Sequence, residues 1–398
     1  MAKIHNDLRY TIVDLGLLTQ EFKPLVYLGV LNENQLMKPM YLTYVFLCMI
    51  LSFSCSSDDT VTTDSLPEEE LYFPPINSDA WETKSISELN WNESQLQPLL
   101  DFLEDSDTKS FIILHNGKIV NESYFNGTNM LSNNPWFSTG KTLTAFMVGV
   151  AQEDGLLNVN DPSSNYLGDG WSSLTSEQEN SITIKHHITM TSGLDYMDDL
   201  YCTDPNCLTF LYEPNSFWYY HNAPYTLTQS IISGALNSDF DSYFNLKLKS
   251  KIGMQGSWVQ FGYNKFYYSN ARSMARFGLL CLNEGTWDDE VILGDNTYFS
   301  EMTNTSQNLN PSYGYLWWLN GKSSFRLPNS TQSYSGKLIP NAPDDLIAGL
   351  GANDQKLYVV PSKKLVMVRM GGDGGGGGQL SLSDYDNMLW EKINALIN

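Results

Sequence analysis

The 398 residues predict an α+β fold: one antiparallel sheet flanked by helices, with a helical region inserted between its strands. Three observations carry that prediction. Strand-like apolar runs stand at both ends of the chain, in "SFIILHNGKIV" and again in "YGYLWWLNG", "QKLYVVPS" and "KLVMVRMG". Between them, from Ser138 to about Asn283, helix and loop patterns dominate. A last stretch, "DYDNMLWEKINALI", closes the chain as a helix.

The elements follow in order. "SISELNWNESQLQPLLDFLED", beginning at Ser85, spaces its apolar residues as an amphipathic helix. A hairpin follows, turning at Asn116-Gly117, a pair that tolerates positive φ. "WFSTGKTLTAFMVGVAQEDG", Trp136 to Gly155, joins a Gly-Lys-Thr to a long apolar run. A phosphate-binding loop would need a glycine at Pro135, and none occurs between Met130 and Phe137. The run reads instead as a helix buried on most faces, with Gly155 near its C-cap. Trp317 and Trp318 alternate on a strand, so one is expected to face the core and the other the cleft or solvent. Gly371 to Gly378, broken only by Asp373, lacks a strand–helix phosphate context and reads as a flexible connection.

Ser138 and Lys141 lie three residues apart at the start of the buried helix, a spacing that puts both on one face. A serine becomes a nucleophile when a base takes its proton, and a lysine whose pKa is lowered by burial can do so. The helix N-terminus favours the developing alkoxide and oxyanion. Spacing alone is a weak signal, because Ser106-Asp107-Thr108-Lys109 repeats it in a polar segment that reads as a solvated turn. Tyr-x-Asn is equally common here, starting at Tyr124, Tyr220, Tyr243, Tyr268 and Tyr385.

Order adds what spacing lacks. "FIILHNGKIVNESYFNG", the Ser138 segment, "ITIKHHITMTSGLDY", "EPNSFWYYHNAPYTL" and "GLGANDQKLYVVPSKKLVMVRMG" follow one another in a familiar sequence. Over roughly residues 76 to 398 the chain resembles the serine beta-lactamase-like family. The branch is that of class C beta-lactamases, D-Ala-D-Ala carboxypeptidases, family VIII esterases and 6-aminohexanoate-oligomer hydrolases. The resemblance implies a beta-lactamase/transpeptidase-like fold and catalysis without a cofactor. It implies that Ser138 is acylated, that Lys141 is its partner, and that Tyr220 of Tyr220-His221-Asn222 passes protons between them. Asn222 would orient the lysine and contact the acyl side of the substrate. Tyr220 is preferred over Tyr268 because its segment has the family's order and distance from Ser138. Tyr268 falls where the family has another helix, away from the chemistry.

The family's third motif is Lys-Thr-Gly or His-x-Gly on a strand beside the site. "GLGANDQKLYVV" offers neither cation, although the N–H groups of Ala352 and Ser138 can still form an oxyanion hole. The missing cation argues against a substrate carboxylate, unless an arginine from elsewhere binds it, and towards an esterase or amidase. The expected substrate is therefore a small-molecule or peptide ester or amide. A penicillin-recognising carboxypeptidase or beta-lactamase is the alternative, and a non-catalytic binding or sensor protein the second. Tyr196 is a candidate pocket-lining residue, while His186 and His187 read as core or hydrogen-bonded histidines.

A formal charge of −22 excludes nucleic acid as a partner, since phosphate neutralisation needs clustered Lys and Arg. Residues 37 to 55, "MKPMYLTYVFLCMILSFSC", have the layout of a signal peptide and are too short for a comfortable membrane span. "SFSC" resembles a lipoprotein cleavage box, although Ser52 and Phe53 depart from the usual pattern, so Cys55 is expected to be lipidated. Residues 56 to 75 then form an acidic tether to a catalytic domain over 76 to 398. Residues 1 to 36 make no sense ahead of an export signal, and Met37 is the expected start. The expected location is exported and lipid-anchored to a bacterial membrane, in the periplasm or at the cell surface. Cys48 leaves with the signal, Cys281 lies in an apolar helix, and Cys202 and Cys207 are left to form a disulfide. No histidine stands at metal spacing from these cysteines, so no metal is expected.

Overall fold

The computed structural model describes residues 69–375 and 384–398. The expected signal peptide, Cys55, most of the acidic tether and the end of the glycine run lie outside the described residues. Helix α1 spans Leu96–Asp105 and starts later than its apolar pattern suggests. Asn90 takes a left-handed φ of 56°, and the N–H of Trp91 folds back to the carbonyl of Ile86. Asparagine tolerates that conformation, so Ser85 to Asn92 forms turns instead of helix. Strands β1 (Thr108–His115) and β2 (Lys118–Tyr124) form the expected hairpin, with Asn116 at φ 49° and Gly117 at φ 82°.

A 3-10 turn, Phe137–Gly140, leads into α2 (Lys141–Glu153), in which every residue from Lys141 to Ala151 is buried. The inserted region contains α3 (Asn222–Leu236), a hairpin of strands Ser257–Phe261 and Asn264–Ser269, and α4 (Ala271–Leu282). Strands β3 (Trp318–Leu319), β4 (Ile347–Gly351), β5 (Gln355–Val360) and β6 (Leu365–Gly371) follow, and α5 (Asp384–Ile397) ends the chain.

Six strands join in the order β2-β1-β6-β5-β4-β3, every pair antiparallel. The β1–β6 pairing brings the two ends of the sequence together, which is why strand patterns flank a helical middle. Alternation along β5 fixes the layers. Leu357 lies against Gly278 of α4 on one face. Tyr358 packs on Trp390 of α5 on the other, where Lys356 pairs with Asp386 at 2.7 Å. Trp317 and Trp318 are both buried, so neither faces solvent. Trp317 stacks on Phe277 of α4, and Trp318 stacks on Tyr220. The C-terminal end of the expected tether is held to the domain: Tyr72 N–H donates to Asn116 O, and Arg276 donates to the carbonyls of Pro74 and Pro75.

Candidate active site

The turn before α2 is fixed from the hairpin side. Trp136 donates its backbone N–H to Tyr267 O and its indole N–H to Ser269 Oγ, both at 2.8 Å. Phe137 then adopts a φ of 46°, an unusual conformation for an aromatic residue, with its ring edge-on to Phe266. That kink delivers Ser138, half-buried, at the head of α2.

Lys141 sits one turn on. Its Nζ donates to Ser138 Oγ at 3.1 Å and to Asn222 Oδ1 at 2.9 Å. It also stands 5.1 Å from the ring centroid of Tyr220 and 4.2 Å from that of Tyr225. Burial alone pulls the ammonium from the usual lysine range down to about 7, and no carboxylate among the described residues offsets it. The Tyr220 ring is itself stacked on Trp318, 5.8 Å away at an interplanar angle of 16°. Asn222 opens α3, but its side chain is not spent on the helix end. The N–H of Ala223 finds the Leu200 carbonyl at 2.9 Å, leaving the carboxamide for Lys141.

Strand β4 forms the other wall, and two glycines let it approach. A Cβ at Gly349 would lie 2.9 Å from Thr139 Cγ2 and 3.2 Å from Thr142 Cγ2. One at Gly351 would lie 2.5 Å from Trp136 O. Where Gly349 and Gly351 meet the nucleophile turn, β4 therefore presents no side chain, cationic or otherwise. Ala352 follows in the turn to β5, where Asn353 and Asp354 both take left-handed φ angles. Buried Arg369 locks that turn by donating to Asn353 O and Asp354 O, each at 3.0 Å. The four described arginines all have partners: Arg272 with Glu122, Arg276 and Arg369 with backbone carbonyls, and Arg326 with Leu309 O, Thr331 O and the Phe217 ring, 5.5 Å from its centroid.

The remaining sequence candidates separate cleanly. Tyr268 ends a hairpin strand, not a helix, and Asn270 uses its side chain to cap α4 through Ser273 N–H. Ser106 is buried, contrary to the expected solvated turn, because its hydroxyl is held by Leu103 O and Tyr385 OH. Tyr196 stacks on Tyr219 at 3.6 Å, one residue from Tyr220, and beyond it on Phe217. Cys202 and Cys207 form the disulfide, and Cys281 is buried and free. His187 donates its Nδ1–H to Pro224 O, 2.7 Å away, and His186 Nδ1 accepts from Thr183 N–H. Burial pushes both imidazoles down to about 4, so they stay neutral. Among the described residues no cluster could hold a metal ion, and no helix is long and apolar enough to cross a membrane. Sequence reasoning passed over Tyr225, although its position three residues after Asn222 on a helix placed both on one face.

A serine and a buried lysine on one helix turn, facing a Tyr-x-Asn segment and a strand edge, define the serine-hydrolase class built on the beta-lactamase fold. The chain matches the family described as Beta-lactamase over residues 105–378 and belongs to that family. Solved structures share the fold at low identity. One is assigned as a 6-aminohexanoate-dimer hydrolase from Bacillus anthracis, with TM-score 0.61 and 18% identity over 82% of this chain and 90% of that one. Another is assigned as a beta-lactamase from Bacteroides dorei, with TM-score 0.61 and 14% identity over 77% and 99%. A penicillin binding protein from Bacillus halodurans aligns with TM-score 0.54 and 16% identity over 75% and 99%. No curated protein matches the chain.

Proposed function

We propose that this chain is an exported serine hydrolase that cleaves an ester or amide through an acyl-enzyme on Ser138. The observation that carries the reading is Lys141 Nζ, buried and near-neutral in pKa, within hydrogen-bond reach of Ser138 Oγ. In the first half-reaction Ser138 Oγ attacks the carbonyl carbon as its proton passes to Lys141, with Tyr220 beside it. The N–H groups of Ser138 and Ala352 receive the oxyanion. Collapse expels the alcohol or amine, which takes the proton back. In the second half-reaction a water, deprotonated by the same Lys141–Tyr220 pair, attacks the acyl carbon and regenerates Ser138.

The preference for a substrate without a carboxylate rests on β4. Thr139 and Thr142 fill the space a side chain at Gly349 would need, and the described arginines all have partners. Beta-lactam substrates carry the carboxylate this wall does not meet, whereas a simple ester or amide need not carry one. The layout of residues 37 to 55 supports export and anchoring through Cys55.

The test is hydrolysis of p-nitrophenyl acetate and butyrate by the purified protein, beside Ser138→Ala. Turnover lost with that single change supports the reading. Turnover that survives it removes Ser138 as nucleophile. A wild-type protein inert to both esters but acylated by penicillin would move the assignment to the penicillin-recognising branch, and one inert to all of them to a binding or sensor role.

A further inference from the structure

The lysine is contacted from a side the reaction does not explain. Taking a proton from Ser138 turns Lys141 into an ammonium inside a site where burial opposes charge. Two of its N–H groups go to Ser138 Oγ and Asn222 Oδ1. Tyr225 presents its ring to the same nitrogen with the centroid at 4.2 Å, nearer than the 5.1 Å of Tyr220. A cation within about 6 Å of an aromatic face is attracted by the ring quadrupole, and more strongly once desolvated. Tyr225 is itself buried, with its hydroxyl towards Thr144, one turn beyond Lys141 on α2. The ring thus lies between α2 and α3 with its face on Nζ.

We propose that Tyr225 is a positioning residue whose ring face stabilises the Lys141 ammonium formed as Ser138 is acylated. This rests on the serine-hydrolase reading above. The ring acts and the hydroxyl does not, since burial raises the phenol to about 12 and keeps it protonated. Other titratable groups near this part of α2 include Tyr220, on the segment before α3, Tyr313, whose ring lies 6.2 Å from that of Tyr220, and Tyr298, on helix Asn296–Met302. Tyr298 donates to Ala145 O, one turn further along.

A fluorophosphonate probe tests this without knowledge of the natural substrate. The Ser138 Oγ–P bond forms, the P–F bond breaks, fluoride leaves and the serine proton goes to Lys141. Labelling rate should therefore rise with pH through the Lys141 titration. Tyr225→Phe keeps the ring, and should keep both the midpoint and a plateau rate within about threefold of wild type. Tyr225→Leu removes the π face, so the ammonium is held less well. Its midpoint should move to lower pH by about half to one unit, and its plateau should fall about tenfold. A loosened structure alone would lower the plateau and leave the midpoint in place. Should the leucine variant not fold, phenylalanines of increasing fluorination at 225 hold the shape and weaken the face, and should shift the midpoint in graded order. An unmoved midpoint in Leu and fluorinated variants overturns the proposal, as does a phenylalanine variant shifted as far as leucine. Wild-type protein that is not labelled at Ser138 overturns the hydrolase reading itself, and the role of Tyr225 with it.

Discussion

Ser106 and Lys109 stand three residues apart, as Ser138 and Lys141 do, yet only the second pair meets. Ser106 caps the end of α1, Asp107 turns the chain at φ 52°, and Lys109 is already on β1. Helix stops between the two residues, so their side chains diverge. Ser138 and Lys141 sit on a 3-10 turn running directly into α2, and the two atoms come within 3.1 Å. The Tyr-x-Asn segments repeat the lesson. Asn270 caps its own helix, whereas the second N–H of α3, that of Ala223, is satisfied by Leu200 O just before Cys202, and Asn222 is released to hold Lys141. Identical spacing becomes chemistry only where the backbone is continuous and the helix end is capped by something else.

The sharpest test of that contrast sets the serines side by side. Ser138→Ala should lower kcat for p-nitrophenyl butyrate by at least about 10³-fold. Ser106→Ala should leave turnover within about twofold and cost about 1 kcal/mol in urea denaturation, from the bond to Tyr385. Equal losses of turnover would break the comparison.

The lysines should separate next. Lys141→Met is expected to cost about 10³-fold in kcat, and Lys109→Met nothing measurable. The sign of the pH dependence follows from the pKa of about 7: below it Nζ is protonated and cannot take the serine proton, and above it Nζ is neutral. Wild-type kcat/KM should therefore climb through pH 7, and a profile flat from about pH 6 to 8 would contradict a lysine base.

The asparagines should trade places between activity and stability. Asn222→Ala should lower kcat about ten- to a hundredfold through a misplaced Lys141. Asn270→Ala should instead lower stability by about 1 kcal/mol and spare activity, read by thermal melts beside turnover. The smallest effect belongs to the disulfide. Cys202→Ser with Cys207→Ser should cost at most about 2 kcal/mol and lower kcat a few-fold, as Leu200 O loosens from Ala223 N–H. Turnover unchanged in that variant would show that the loop holds its carbonyl in place unaided.

Local sequence determined a good deal by itself. The buried helix after Ser138, the Asn116-Gly117 turn and the apolar strands at both ends are written in residue periodicity and in residues that tolerate positive φ. The order of motifs singled out Tyr220 over Tyr268. Tertiary structure decided the rest, because it depends on what lies opposite each residue. Whether Ser85 to Asn92 continued a helix turned on a left-handed Asn90, and the burial of Ser106 on Tyr385 from the far end of the chain. The emptiness of the β4 wall comes from Thr139 and Thr142 filling it, and the company of Lys141 from two rings on a segment about eighty residues away. A side chain's type is local, but its pKa and its partner are set by packing across distant segments, and those long-range contacts exist only once the chain has folded.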